Sequence, residues 1–159
     1  MFAKNRVKAP RSLGAAQYIV ANSKVSVTPM RLLKLLYVAH GYSLALNRVP
    51  LLDEAVQAWQ YGPIVPSVYD AVRKYRSKPV ESIERADVGA LTQADRVVLD
   101  NVLATYQHVN AIQLSAAMHQ PGTPWSITWG IDEQNARISN DLIMDFYDKI
   151  LKAPTHSAL

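Results

Sequence analysis

The stretch TPMRLLKLLYVAHGYSLAL, residues 28–46, decides the fold. Thr28 followed by Pro29 is a strong helix start: a hydroxyl that caps, then a proline at a position whose N–H would have no partner anyway. The residues that follow are apolar on almost every side: Met30, Leu32, Leu33, Leu35, Leu36, Tyr37, Val38, Ala39, Tyr42, Leu44 and Leu46. A helix without a wet face is wrapped by other elements. A membrane span wants about twenty apolar residues with few charges, and Arg31, Lys34 and His40 interrupt this one. The segment is therefore predicted to be the central, buried helix of a compact domain with no membrane association.

Helical periodicity continues on both sides. Ser12 is placed to cap a first helix running to about Ser23, with Leu13, Ala16, Ile19 and Val20 on one face. Downstream, residues 47–53 form a turn region broken by Pro50, and Ala55 to Tyr61 (AVQAWQY) is the best strand candidate. Gly62-Pro63 is expected to end that strand, and Val80 to Ile83 to be a short strand pairing with it, giving at most a small β-hairpin within residues 55–83. Pro66 opens a third helix carrying Val68, Tyr69, Val72 and Tyr75. Thr92 with Asp95 resembles a capping box, before the stripe Val98, Leu99, Val102, Leu103, Tyr106 and Val109. Asn110 caps a helix bearing Ile112, Leu114 and Met118, stopped by Pro121-Gly122. Pro124 and Trp125 open a short turn to Gly130. Ser139 caps a last helix with the stripe Leu142, Ile143, Phe146, Tyr147, Ile150 and Leu151, which Pro154 ends. The fold class is mainly α, a single compact helical domain around the helix at 28–46.

Composition bounds the chemistry. The chain has 159 residues, 49% hydrophobic and 19% charged, which suits one globular domain. It has no cysteine. That excludes disulfides, thiolate zinc sites, iron–sulfur clusters and a cysteine nucleophile, and it fits a reducing cytoplasm. The net charge is +4. Lys4, Arg6, Lys8 and Arg11 precede any acid, and without them 13 basic side chains face 13 acidic ones. The excess is assigned to a basic tail at residues 1–11, ahead of a domain at 12–152 and a tail at 153–159. A second basic group, Arg73, Lys74, Arg76 and Lys78, falls where a helix ends and suits the negative end of its dipole. Neither group comes with a nucleic-acid-binding motif, so nucleic acid is not the favoured partner.

Catalytic signatures are missing. There is no Gly-x-Ser-x-Gly elbow, no phosphate-cradling glycine loop and no His-Glu-x-x-His, and the six glycines are scattered. His40, His108, His119 and His156 show no zinc-ligand spacing. The paired acids Asp53-Glu54 and Asp132-Glu133 look like turn residues. No metal, cofactor or catalytic residue is assigned.

Three groups stand out. Lys34 lies in the middle of the buried helix, where an ammonium calls for a carboxylate such as Asp53, Asp70 or Asp141, or snorkels to water; a functional site is the other reading. Ala58-Trp59-Gln60-Tyr61-Gly62-Pro63 sets two large aromatics before a tight turn, either as a wedge or as a contact surface. His119-Gln120-Pro121-Gly122-Thr123-Pro124-Trp125 puts an imidazole and an indole in a rigid loop, where the imidazole either suits a helix C-terminus or bonds a backbone carbonyl. Tyrosines outnumber phenylalanines eight to two. Their apolar bodies and polar tips suit a surface that becomes dry in a complex. The two rigid segments, 59–63 and 119–125, are expected to lie close in space beside the central helix.

At these residues the chain resembles the Panacea domain of bacterial and phage antitoxins. The resemblance rests on Lys34-Leu35-Leu36-Tyr37, on Ala58-Trp59-Gln60-Tyr61-Gly62-Pro63 with Val68-Tyr69, and on His119 with Pro124-Trp125, backed by Ile138 and the helix at 142–147. It covers about residues 12–151. It implies a cytoplasmic, non-enzymatic antitoxin that neutralises a cognate toxin by direct binding, some members acting as adaptors that hand the toxin to a AAA+ protease. The motif residues Lys34, Tyr37, Trp59, Tyr61, Gly62, Pro63, Tyr69, His119, Pro124 and Trp125 are the candidates for partner binding. The rival readings are a nucleic-acid-binding regulator that uses the basic tail and the Arg73–Lys78 group, a hydrolase with a site at His119, and a non-catalytic scaffold for another phage or host factor.

Overall fold

The computed structural model describes residues 9–131 and 134–153. Within those residues seven α-helices accompany a small sheet: α1 Arg11–Asn22, α2 Pro29–Asn47, α3 Pro66–Val72, α4 Gln93–Tyr106, α5 Ala111–Met118, α6 Pro124–Ile131 and α7 Asn140–Lys152. The strands are β1 Val56–Trp59, β2 Gly62–Ile64 and β3 Arg137–Ile138, in the order β2-β1-β3 and antiparallel throughout. The domain is mainly α with minor β. No helix among the described residues is long and apolar enough to cross a membrane.

The central helix forms as its sequence dictates. Thr28 accepts from the Arg31 N–H, Pro29 takes the first turn, and buried residues run from Pro29 to Ala45. Helices α1, α4, α5 and α7 all pack on α2. Gly41 is what lets α7 approach: a Cβ there would sit 2.2 Å from Cδ2 of Tyr147. At the other end of α4, the buried Arg31 guanidinium donates to the carbonyls of Tyr106, Gln107 and Val109. It meets both the unpaired acceptors and the negative dipole end of that helix. Both capping boxes are complete, Thr92 with Asp95 and Asn110 with Gln113, and Ser139 caps α7.

Several expectations need correction. Ser12 does not cap α1: Pro10 holds that position and Ser12 is buried inside the helix. Arg11 belongs to the helix rather than to the tail, because its guanidinium pairs with Asp95 and its N–H donates to Asp53. Lys4, Arg6 and Lys8, Asp132 and Glu133, and the tail beyond Ala153 with His156 lie outside the described residues. Gly62-Pro63 does not end the sheet. It opens β2, paired as Trp59↔Gly62, Ala58↔Pro63 and Gln57↔Ile64. Residues 80–83 are not a strand; the Val80 N–H bonds the Val27 carbonyl in a loop. The other neighbour of β1 is β3, eighty positions later, where Ile138 faces Val56. Residues 124–131 are a helix rather than a turn, because Thr123-Pro124 repeats the Thr28-Pro29 device: the Thr123 hydroxyl accepts from the Ser126 N–H.

Candidate functional site

Gln60 and Tyr61 form a two-residue turn between β1 and β2, the shortest common hairpin loop. The carbonyls around such a turn point out of the ladder and must find donors elsewhere. Here three elements reach them. Lys34 Nζ from α2 donates to the Tyr61 carbonyl at 2.6 Å. Trp125 Nε1 from α6 donates to the Trp59 carbonyl at 2.6 Å. His119, at the C-terminal end of α5, sets its Nε2 3.4 Å from the Gln60 carbonyl. The two rigid segments thus meet, with Lys34 between them and the central helix.

Lys34 is 1% exposed. None of Asp53, Asp70 or Asp141 reaches it, and it makes no ion pair among the described residues. The expected carboxylate is replaced by a main-chain carbonyl. Burial without a countercharge pushes its ammonium down to about 8. Gly62 is required beside it on two grounds. Its φ is +110°, a region that favours glycine, and a Cβ would stand 2.5 Å from Lys34 Nζ and 3.3 Å from His119 Cε1.

The His119 Nδ1 lies 2.6 Å from the Ser115 carbonyl one turn back and donates to it. The His119 ring is tilted at 59° to Trp125 with centroids 4.3 Å apart, and Trp125 stacks on Trp129 at 5.4 Å and 14°. Thr123 braces the loop with its single hydroxyl proton, which the carbonyls of Met118 and Gln120 share at 2.8 and 2.9 Å. Trp59 meets Tyr69 edge to face at 5.0 Å and donates its own Nε1 to Gln57. Pro63 and Pro124 are buried, one in β2 and one in the first turn of α6.

Two sites of the sequence reading fall differently. Tyr37 is buried in the core, edge-on to Tyr147 at 6.0 Å. The tyrosine excess likewise serves the interior first: Tyr37, Tyr42, Tyr106 and Tyr147 are buried, with the Tyr42 and Tyr106 hydroxyls 2.8 Å apart. Burial raises the Tyr37, Tyr106 and Tyr147 hydroxyls well above the usual tyrosine range. Tyr61, at the hairpin tip, is 57% exposed. The sequence reading passed over Thr123 and Trp129. The signals were there: Thr-Pro as a helix start, and two tryptophans four positions apart, which a helix puts on one face.

Lys34 and Trp125 each donate to a main-chain carbonyl of the turn, and His119 Nε2 lies against a third. That is the chemistry of a rigid mount. Among the described residues no group of three or more His, Asp or Glu side chains is arranged to hold a metal ion.

A family model described as "Antitoxin SocA-like, Panacea domain" matches residues 32–126. Antitoxin SocA of Caulobacter vibrioides (strain NA1000 / CB15N) is 29% identical over 115 residues, covering 65% of this chain and 60% of that protein. The similarity therefore spans less than two thirds of that relative's length. No solved structure matches significantly.

Proposed function

This chain belongs to the SocA-like antitoxin family with a Panacea domain, and from that premise we propose that it neutralises a protein toxin by binding it directly, in the cytoplasm. The observation that carries the reading is where the clasp lies. Lys34, His119 and Trp125 and the three carbonyls they approach, at Tyr61, Gln60 and Trp59, fall inside the matched segment, residues 32–126. What they hold is a hairpin tip ending in an exposed tyrosine. A tip held from three elements loses little freedom on binding, and tyrosine is among the residues that dominate interface energetics. This reading includes no bond-making step.

Co-expression with the toxin from the adjacent gene tests it. Growth is restored and the two chains co-purify as a complex. A toxin that still kills while this protein is abundant and folded excludes the function for that pair. Delivery of the toxin to a AAA+ protease differs from simple coverage in one readout: the toxin's half-life falls when this chain is present and recovers when the protease is deleted.

A further inference from the structure

Lys34 lines a cavity of about 250 Å³. Leu33, Ile64 and Tyr69 supply apolar wall, and Met30 and Tyr61, both largely exposed, also line it. The remaining polar lining is cationic: Arg73 and Arg76 join Lys34, and no Asp or Glu takes part. Neither arginine is ion-paired among the described residues. An ammonium has three donor protons, and the buried Lys34 spends one, on Tyr61. The first turn of α2, Pro29 and Met30, also lines the space and adds the positive end of that helix's dipole.

We propose that this cavity is an anchor site for a polypeptide partner that presents an acidic side chain beside an apolar one. The proposal rests on the toxin-binding reading and names the chemistry of the contact. Charge complementarity selects the occupant: three cations without an acid, on apolar walls, match a carboxylate carried on a greasy segment. Size agrees. Sites for drug-sized ligands run from about 300 to 1,000 Å³, whereas this cavity takes one or two side chains. A carboxylate entering it gives Lys34 the countercharge it lacks, so binding raises the Lys34 pKa from about 8 and takes up a proton near that pH.

The test is an amide NMR titration of the full chain with the peptide acetyl-Leu-Glu-Leu-amide, its Leu-Gln-Leu counterpart and ADP. The acidic peptide shifts the amides of Met30, Leu33, Tyr69 and Arg73 saturably, and the Gln peptide binds at least tenfold more weakly. The shifts are lost in Lys34→Met. They are also lost in the double variant Arg73→Ala/Arg76→Ala, whose exposed positions leave folding intact if the buried change does not. Equal binding of the two peptides, no shift at these residues, or displacement of the peptide by lower concentrations of ADP overturns the proposal. A chain that rescues growth but shows none of the shifts loses the anchor alone. One that binds the acidic peptide but rescues nothing loses the toxin reading alone.

Discussion

The indole of Trp125 donates to the main-chain carbonyl of Trp59, 66 positions earlier in the chain, at 2.6 Å. One residue opens α6 and the other closes β1, so this bond ties the helical half of the molecule to the hairpin tip. Trp125→Phe keeps a ring in the site but leaves a partly buried carbonyl without its donor. The expected loss is about 1–3 kcal/mol, the penalty of an unsatisfied buried group. Urea denaturation measures it, and faster amide exchange at Gly62 and Ile64 locates it.

Gly62→Ala combines two conflicts, a φ of +110° and a methyl 2.5 Å from Lys34 Nζ. The backbone strain alone is worth about 1–3 kcal/mol. A cycle with Lys34→Met separates the parts. The double variant is more stable than the sum of the single effects implies, because removing the ammonium frees space for the methyl. Additive effects would show that Gly62 is needed for its backbone alone.

His40 makes stability depend on pH. It is fully buried, its Nδ1 accepts from the Leu52 N–H at 3.3 Å, and its Nε2 faces Asn140 Oδ1 at 2.9 Å. That arrangement fits the neutral ring with its proton on Nε2. Burial lowers its pKa below the usual histidine value. As pH falls through about 6.5, the unfolded chain takes up a proton that the folded chain refuses, so stability drops by up to about 1.4 kcal/mol per pH unit. Denaturation curves between pH 7.5 and 5 record the slope, and His40→Gln, which keeps polar atoms near those positions, flattens it.

Gly41→Ala would ordinarily favour a helix by about 1 kcal/mol. Here the new methyl falls 2.2 Å from the Tyr147 ring. Overpacking of this kind costs about 1–3 kcal/mol, so the net effect is destabilising. A lowered melting temperature checks the sign; a rise would mean that α7 moves away from α2 freely.

The central helix, the Thr92–Asp95 capping box and the Asn110 and Ser139 caps were legible because each depends on neighbours within four positions. A hydroxyl, a proline or an apolar stripe states its own structure at that range. The motif residues around 59–63 and 119–125 stood out as rigid and aromatic for the same local reason, and the family resemblance marked them as belonging together.

Long-range partners were not legible. Val80 to Ile83 carries the same apolar, β-branched signal as a strand, and nothing local says that β1 pairs instead with Arg137 and Ile138. Lys34 illustrates the same limit. The sequence establishes that an ammonium sits inside an apolar helix and must be satisfied, but a carbonyl at a hairpin turn leaves no side-chain signal, so an acid was sought. Sequence thus determined the central buried helix, the caps at Thr28, Thr92, Asn110 and Ser139 and the two stiff segments, since those properties follow from local spacing and polarity. Only the tertiary structure decided that side chains from three helices, Lys34, His119 and Trp125, close on one turn, because that depends on how packed elements bring distant backbone into reach.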